Sequence, residues 1–216
     1  IKFIGNLKFS ETKTEKKNNF KKNIQKILKK RKIWCAASTH NSEEKICALA
    51  HQKLKNKYKN LLTIIIPRHV HRVNDICSEI KDMELKVQTH SAKNKIKKDT
   101  DIYLVDTYGE TKSFFKICNI VFLGGSIINH GGQNPLEPAR FGCKILYGPH
   151  IQNFTEIYKL LDENNLSFKF HNVNQLVKLI NQFFNKKTKI IKKINKLKKI
   201  GTNVLNRTLV EINYFL

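Results

Sequence analysis

Two short stretches combine residue types that bind anions. In IIIPRHVHR, Pro67 closes an apolar run, and Arg68, His69, His71 and Arg72 follow at once. A guanidinium presents a planar fork of N–H donors to phosphate or carboxylate, so this cluster points to an anion site. Earlier, AASTHNSEE places Ser38, Thr39 and His40 where another apolar run ends. Asn41 followed three residues on by Glu44 has the spacing of a helix capping box, which leaves three hydrogen-bonding side chains beside it for a ligand. Thr107 and Glu110 in DTYGE repeat the box spacing, and Gly109 between them lets backbone approach a ligand closely.

The richest stretch is FLGGSIINHGGQNPLEPARFG. It holds Gly124, Gly125, Gly131 and Gly132, four of only nine glycines in the chain. Asn134, Pro135 and Glu137 follow as N-cap, first helical residue and box partner. A helix start of this kind offers unpaired N–H groups to an anion, and Glu137 could accept hydrogen bonds from ribose hydroxyls. A glycine-rich turn, a helix N-terminus and a Glu, in that order, resemble the usual nucleotide-diphosphosugar arrangement of two-domain (GT-B) glycosyltransferases.

These residues need elements to position them. Continuous apolar runs predict strands over Lys32–Ala37, Leu61–Pro67, Leu85–Thr89, Asp101–Asp106, Ile120–Gly124 and Lys144–Tyr147. Amphipathic stretches predict helices over Ser42–Tyr58, Val70–Lys81, Glu110–Ile117, Pro135–Phe141 and Phe154–Asn164. Strand–helix alternation predicts a Rossmann-like α/β fold, a parallel sheet with helices on both faces. Ligands of such sheets sit beyond the carboxyl ends of the strands, where the chemistry-bearing residues fall. The Lys-rich segment Ser91–Thr100 reads as an exposed loop. Residues 1–172 form the expected nucleotide-sugar domain. Residues 173–216 are expected to form basic helices packed on it, with one apolar stripe through Leu176, Val177, Leu179, Ile180, Phe183 and Phe184 and another through Ile190, Ile191, Ile194 and Leu197.

Forty-one Lys and Arg against 17 Asp and Glu give a formal charge of +24. That excess suits an anionic partner such as nucleic acid, phospholipid or a phosphorylated substrate. AT-rich coding also fills exposed positions with Lys, and only five of the basic residues are Arg, so charge alone selects no partner. Cys35, Cys47, Cys77, Cys118 and Cys143 are widely spaced and form no Cys-x-x-Cys pair. They read as reduced, buried residues of a cytosolic protein, without the spacing of a zinc site. No apolar run approaches the ~20 residues needed to span a bilayer. The opening IKFIGNLKF lacks a Met and reads as the interior of a longer product.

The motifs GNLKF, AASTH…EE, PRHVHR, YGE, FLGGS…HGGQNPLEPA and YGPHIQNF run from Gly5 to about Phe154. In this order they resemble the 3-deoxy-D-manno-octulosonic acid (Kdo) transferases. The resemblance implies the C-terminal donor-binding domain of a GT-B glycosyltransferase. Its donor would be CMP-Kdo and its acceptor a lipid A precursor (lipid IVA) in lipopolysaccharide core biosynthesis. The setting would be the cytoplasmic side of the bacterial inner membrane, beside an anionic surface, with inverting transfer and neither metal nor cofactor. Pro67 and Arg68 match the family's CMP-contacting pair. Gly109, Glu110 and Thr111 match a second CMP segment, Thr111 standing where the family more often has an apolar residue. Asn134, Pro135, Leu136 and Glu137 match a third. Lys8 matches the Lys that stabilises the transition state as a cation near the departing phosphate. Ser38, Thr39, His40, Arg72, Gly125, Ser126 and His130 are expected to line the site. Ser42 replaces a usual Gly, with little harm expected.

The family's N-terminal half, which carries the acceptor site, the catalytic base and usually a membrane anchor, has no counterpart in this sequence. The chain alone is therefore expected to bind CMP or CMP-Kdo without transferring sugar. Three other readings stand beside this one. A GT-B enzyme using a UDP-sugar shares the GGQNPLEPA type of motif, and a decayed, non-catalytic remnant would keep the fold. A basic nucleic-acid-binding domain would interleave aromatic with basic residues on an exposed face; here the aromatics fall in apolar runs, so no nucleic-acid partner is expected.

Overall fold

A computed structural model describes residues 27–28, 30–92, 96–185, 206 and 210. Its centre is a seven-stranded sheet in the order β3-β4-β2-β1-β5-β6-β7, with every pairing parallel. The strands are β1 (Lys32–Thr39), β2 (Leu61–Pro67), β3 (Val87–Thr89), β4 (Ile102–Leu104), β5 (Ile120–Leu123), β6 (Lys144–Tyr147) and β7 (Ser167–Lys169). Between and after them run α1 (Glu43–Lys55), α2 (Val73–Asp82), α3 (Thr111–Phe115), α4 (Leu136–Arg140), α5 (Thr155–Glu163) and α6 (Val173–Asn185). The expected doubly covered parallel sheet is thus present.

The continuous apolar runs are explained by burial on both faces. Along β1, Cys35 and Ala37 enter one core cluster with Phe114, Leu136 and Tyr158. Trp34 and Ala36 enter the other with Cys47, Ile76, Leu176 and Ile180. Successive side chains point to opposite faces, so a strand covered twice needs apolar residues at every position. Each such Leu, Ile or Phe contributes roughly 1.5–3 kcal/mol by leaving water.

Local differences from the sequence reading have local causes. β1 runs on to Thr39 because Ser38 takes a left-handed backbone, φ 56°, and the ladder shifts register there. β7 is an added edge strand. The segment after Ser91 is not simply a surface loop: Ile96 is buried against the core, and Thr100 Oγ1 and Lys97 N donate to Gln88 Oε1. Cys35, Cys47, Cys118 and Cys143 are buried, while Cys77 is half-buried. Ser42 precedes α1 at φ 72°, a conformation that costs a non-glycine residue about 1 kcal/mol, so the Ser for Gly exchange is a strained one. Of the basic tail, α6 lies on the sheet through Leu176 and Ile180; the second apolar stripe lies outside the described residues.

One buried polar network lies well back from the strand ends. His51 Nδ1 meets Thr63 Oγ1 at 2.8 Å, and its Nε2 meets Asp101 Oδ1 at 3.3 Å. Asp101 also pairs with Lys55 Nζ at 2.6 Å. A neutral imidazole satisfies both neighbours, donating from Nε2 to the carboxylate and accepting the Thr63 hydroxyl proton at Nδ1. Burial, only partly opposed by Asp101, pushes the His51 pKa down to about 4. The unfolded chain takes up this proton near pH ~6.5, and the folded chain only near 4. His51 therefore supports folding fully above the unfolded value and loses that support as pH falls through the folded one. Urea unfolding should show stability declining between those pH values by on the order of 3 kcal/mol, with a shallower slope in His51→Asn. An equal slope in the variant would place the sensitivity elsewhere.

Candidate functional site

The strand order reverses between β1 and β5, since the chain builds outward from β1 in one direction through β2 and in the other through β5. Splayed connections at such a point open a crevice at the strands' carboxyl ends. Here a cleft of about 190 Å³ is lined by Ser38, Thr111, Phe115, Leu123, Gln133, Asn134, Glu137 and Pro138. Four residues singled out in the sequence, Ser38, Thr111, Asn134 and Glu137, thus meet across three separate elements.

The cleft wall from α4 differs from its sequence reading. Asn134 Oδ1 does accept the Leu136 N–H at 3.0 Å, which fixes the turn. Glu137, however, pairs with Lys112 Nζ of α3 at 3.2 Å across the cleft. Helix α4 is a single turn, too short for a strong dipole. Pro135 and Leu136 are buried beneath it. The box of Thr107 and Glu110 does not form: Glu110 itself precedes α3 without a side-chain cap, and Thr107 Oγ1 is buried without a partner among the described residues. Gly109 is exposed at φ 84°, a left-handed position suited to glycine.

The box at α1 is also replaced. Glu43, not Glu44, turns back, and it reaches much further than a cap. Its buried carboxylate accepts the N–H groups of His40 (2.9 Å), Gly125 (2.8 Å), Ser126 (3.2 Å) and Ile127 (3.0 Å). One side chain therefore fastens the turn after β1 to the glycine-rich turn after β5. Burial pushes this carboxyl up, and the four N–H bonds oppose that. Glu44 pairs instead with Arg72, whose two terminal nitrogens lie 3.0 and 3.2 Å from its oxygens. Arg72 is thereby committed to α1 and does not face the cleft as an open anion site.

The remaining expected residues divide by depth. Ser126 is fully buried; its hydroxyl donates to Leu123 O at 2.6 Å and accepts from Gly148 N at 2.9 Å. Its role in the fold is to fix the glycine-rich turn. Pro67 is buried, while Arg68 is exposed and its backbone N–H ties β2 to Thr39 O at 2.9 Å. His40 is almost buried, and its ring stacks on His130 with centroids 4.4 Å apart. Lys8 and the GNLKF motif lie outside the described residues. Sequence reasoning passed over Glu43, Lys112, Gln133 and Phe115. Only Glu43 had a visible signal there, as the first of two adjacent Glu residues.

No protein-family model matches the chain. A 3-deoxy-D-manno-octulosonic acid transferase of Haemophilus influenzae is 40% identical over 133 residues, covering 62% of this chain and 31% of that protein. One of Rickettsia typhi is 31% identical over 182 residues, covering 84% and 39%. A bifunctional glycosyltransferase/methyltransferase of Fusobacterium nucleatum is 32% identical over 191 residues, covering 87% and 29%. The chain thus spans about a third of the length of these relatives. Among solved structures, the C-terminal CMP-Kdo binding domain of WaaA from Acinetobacter baumannii superposes with a TM-score of 0.70 at 24% identity. The match covers 85% of this chain and 97% of that domain, so the chain shares that domain's fold.

Proposed function

From a chain that is homologous to the Kdo transferases over one domain's length, we propose the donor-binding domain of a Kdo transferase, with CMP-Kdo as its ligand. The observation that carries this reading is the cleft at the β1/β5 reversal, where Ser38, Thr111, Asn134 and Glu137 converge. Glu137 is placed to accept ribose hydroxyls, with Lys112 orienting its carboxylate. Arg68, exposed at the end of β2, supplies a guanidinium for the phosphate. Gly109 and Glu110 bring the backbone of the β4–α3 turn to the nucleotide. Family likeness supports the rest: inverting, metal-independent transfer of Kdo to a lipid A precursor at the cytoplasmic face of the inner membrane. Lys8 would be the cation that steadies the departing phosphate. In this reading the base that deprotonates the acceptor belongs to a further domain, so the 216-residue chain binds donor without completing transfer.

Calorimetry with CMP and UDP tests the proposal. CMP should bind saturably and more tightly than UDP. The double variant Arg68→Ala/Glu137→Ala should weaken it about a hundredfold, from loss of one charge-assisted pair and one carboxylate acceptor. Preference for UDP would keep the fold and change the donor. A folded chain that binds neither nucleotide would overturn the assignment.

A further inference from the structure

Gly125 lies where the cleft wall meets a cluster of imidazoles. A Cβ there would stand 3.4 Å from Gln133 Nε2 on the cleft wall, 3.0 Å from His130 Cδ2 and 3.2 Å from His40 Cε1. A residue of the cleft wall and two of the imidazoles therefore crowd the same face of one glycine. His40 and His130 stack at 4.4 Å, His40 and His69 meet edge-on at 6.0 Å, and His69 lies 5.6 Å from His71. These rings come from three places: the end of β1, the turn after β2 and the glycine-rich turn after β5. Their meeting is a product of the topology and not of sequence proximity.

The chemistry of this group is that of an anion site. His40 is 8% exposed, and apart from an approach of its ring to the Ser38 backbone carbonyl its nitrogens make no well-formed hydrogen bond among the described residues. Thr39 Oγ1 beside it is in the same condition. Buried polar atoms without partners are uncommon in folded proteins and ask for an explanation. Burial, then His130, His69 and Arg68, push the His40 pKa down to about 4 against the opposing Ser38 backbone bond, in keeping with the two ring contacts His40 makes. Glu43 approaches His40 Nδ1 to 3.8 Å, but its oxygens are taken by the four backbone N–H groups. His69, His130 and Arg68 are exposed around it. Among the described residues no group of three or more His, Cys, Asp or Glu is arranged to hold a metal ion.

A sugar-acid nucleotide carries two anionic groups, a phosphate and a carboxylate, joined through the sugar. The cleft beside Glu137 suits the nucleoside, and the exposed Arg68 acts on the His40 ring beside it. We propose that His40, His69 and His130 form an adjoining oxyanion subsite that takes the carboxylate of the donor's sugar acid, beside the nucleotide cleft at Gly125. This rests on the donor-domain reading for the identity of the ligand. The imidazoles would donate N–H groups to the carboxylate oxygens, and the burial of His40 would keep water from competing.

Nuclear magnetic resonance of the imidazole Cε1–H signals of the 216-residue chain tests the proposal. The probes are free Kdo, mannose as a neutral sugar, inorganic phosphate, and CMP. Kdo should shift His40, His69 and His130 saturably, with and without CMP, and mannose should not. His130→Ala, a change on the exposed rim, should weaken Kdo about tenfold more than it weakens CMP. His40→Asn should do the same, with circular dichroism confirming that both variants fold. Shifts produced by phosphate or CMP but not by Kdo would overturn the subsite. So would Kdo binding that is equal in wild type and His130→Ala. CMP binding without any imidazole response to Kdo would sink the subsite and leave the donor cleft standing. An imidazole response to Kdo without CMP binding would do the reverse.

Discussion

Replacing Glu43 by Ala should destabilise the chain by about 4 kcal/mol, a large share of the 5–15 kcal/mol typical of a domain. The substitution strands the buried N–H groups of His40, Gly125, Ser126 and Ile127, all of which now donate to one carboxylate. Each orphaned buried donor costs about 1–3 kcal/mol, and relaxation of the two turns keeps the total below the sum. Glu43→Gln separates shape from charge. The amide retains one acceptor oxygen but sets an NH2 group against N–H donors, so it should lose about 2 kcal/mol and remain folded. Three donors belong to the glycine-rich turn, so the Gln variant should also weaken CMP binding. Urea unfolding and calorimetry on the two variants check both statements; a Glu43→Ala chain within about 1 kcal/mol of wild type would show the turns standing without it. The pH dependence has a definite sign. The folded pKa of Glu43 is raised, chiefly by burial. Its contribution is therefore full below the unfolded value and is lost as pH rises through the folded one. Acid sensitivity then comes from groups of lowered pKa, His51 and His40 among them, and not from this carboxylate.

Glu43 also marks the boundary of what a local pattern reveals. β2 and β6 match their sequence runs residue for residue, because a strand buried on both faces writes that burial into every position. β7 leaves no such record. Ser167–Lys169 is a three-residue edge strand whose exposure rises from buried Ser167 to exposed Lys169, and neither apolar continuity nor alternation develops over that length. The spacing of Asn41 and Glu44 predicts a capping box on an ordinary helix entry. The chain instead enters α1 through the left-handed Ser42, which moves the inward-facing acid to Glu43. Its main partners lie 82 to 84 positions away, beyond any window of periodicity. The imidazoles of His40, His69 and His130 are likewise scattered in sequence and meet only because β1 lies between β2 and β5. Residue types at strand exits were legible; which of them would be spent on each other, as Arg72 is on Glu44, depended on the packing of α1 against the turn after β2.

Gly148→Ala is the sharper steric test of the same construction. A Cβ at Gly148 would lie 2.3 Å from Ser126 O, 2.6 Å from Ser126 C and 2.8 Å from Ile127 N. All three are backbone atoms, so no rotamer change relieves the overlap. The contact exists because the turn after β6 runs against the glycine-rich turn, held there by Gly148 N to Ser126 Oγ at 2.9 Å and His150 N to Ser126 O at 2.9 Å. Room for a methyl group requires moving Ser126 and Ile127 and stretching their bonds to Glu43. The expected cost is about 3 kcal/mol, at the upper end for overpacking. CMP affinity should fall with it, since Gly125 and Gln133 move with the turn. The control is Gly109→Ala, where a Cβ meets nothing within 4 Å and only the left-handed φ of 84° is strained; that change should cost about 1 kcal/mol. Equal losses at the two positions would mean that backbone conformation, and not the close crossing of the two turns, sets the geometry of the cleft. A much larger loss at Gly148, accompanied by weakened CMP binding, would show that the turns after β5 and β6 act as one rigid wall of the cleft.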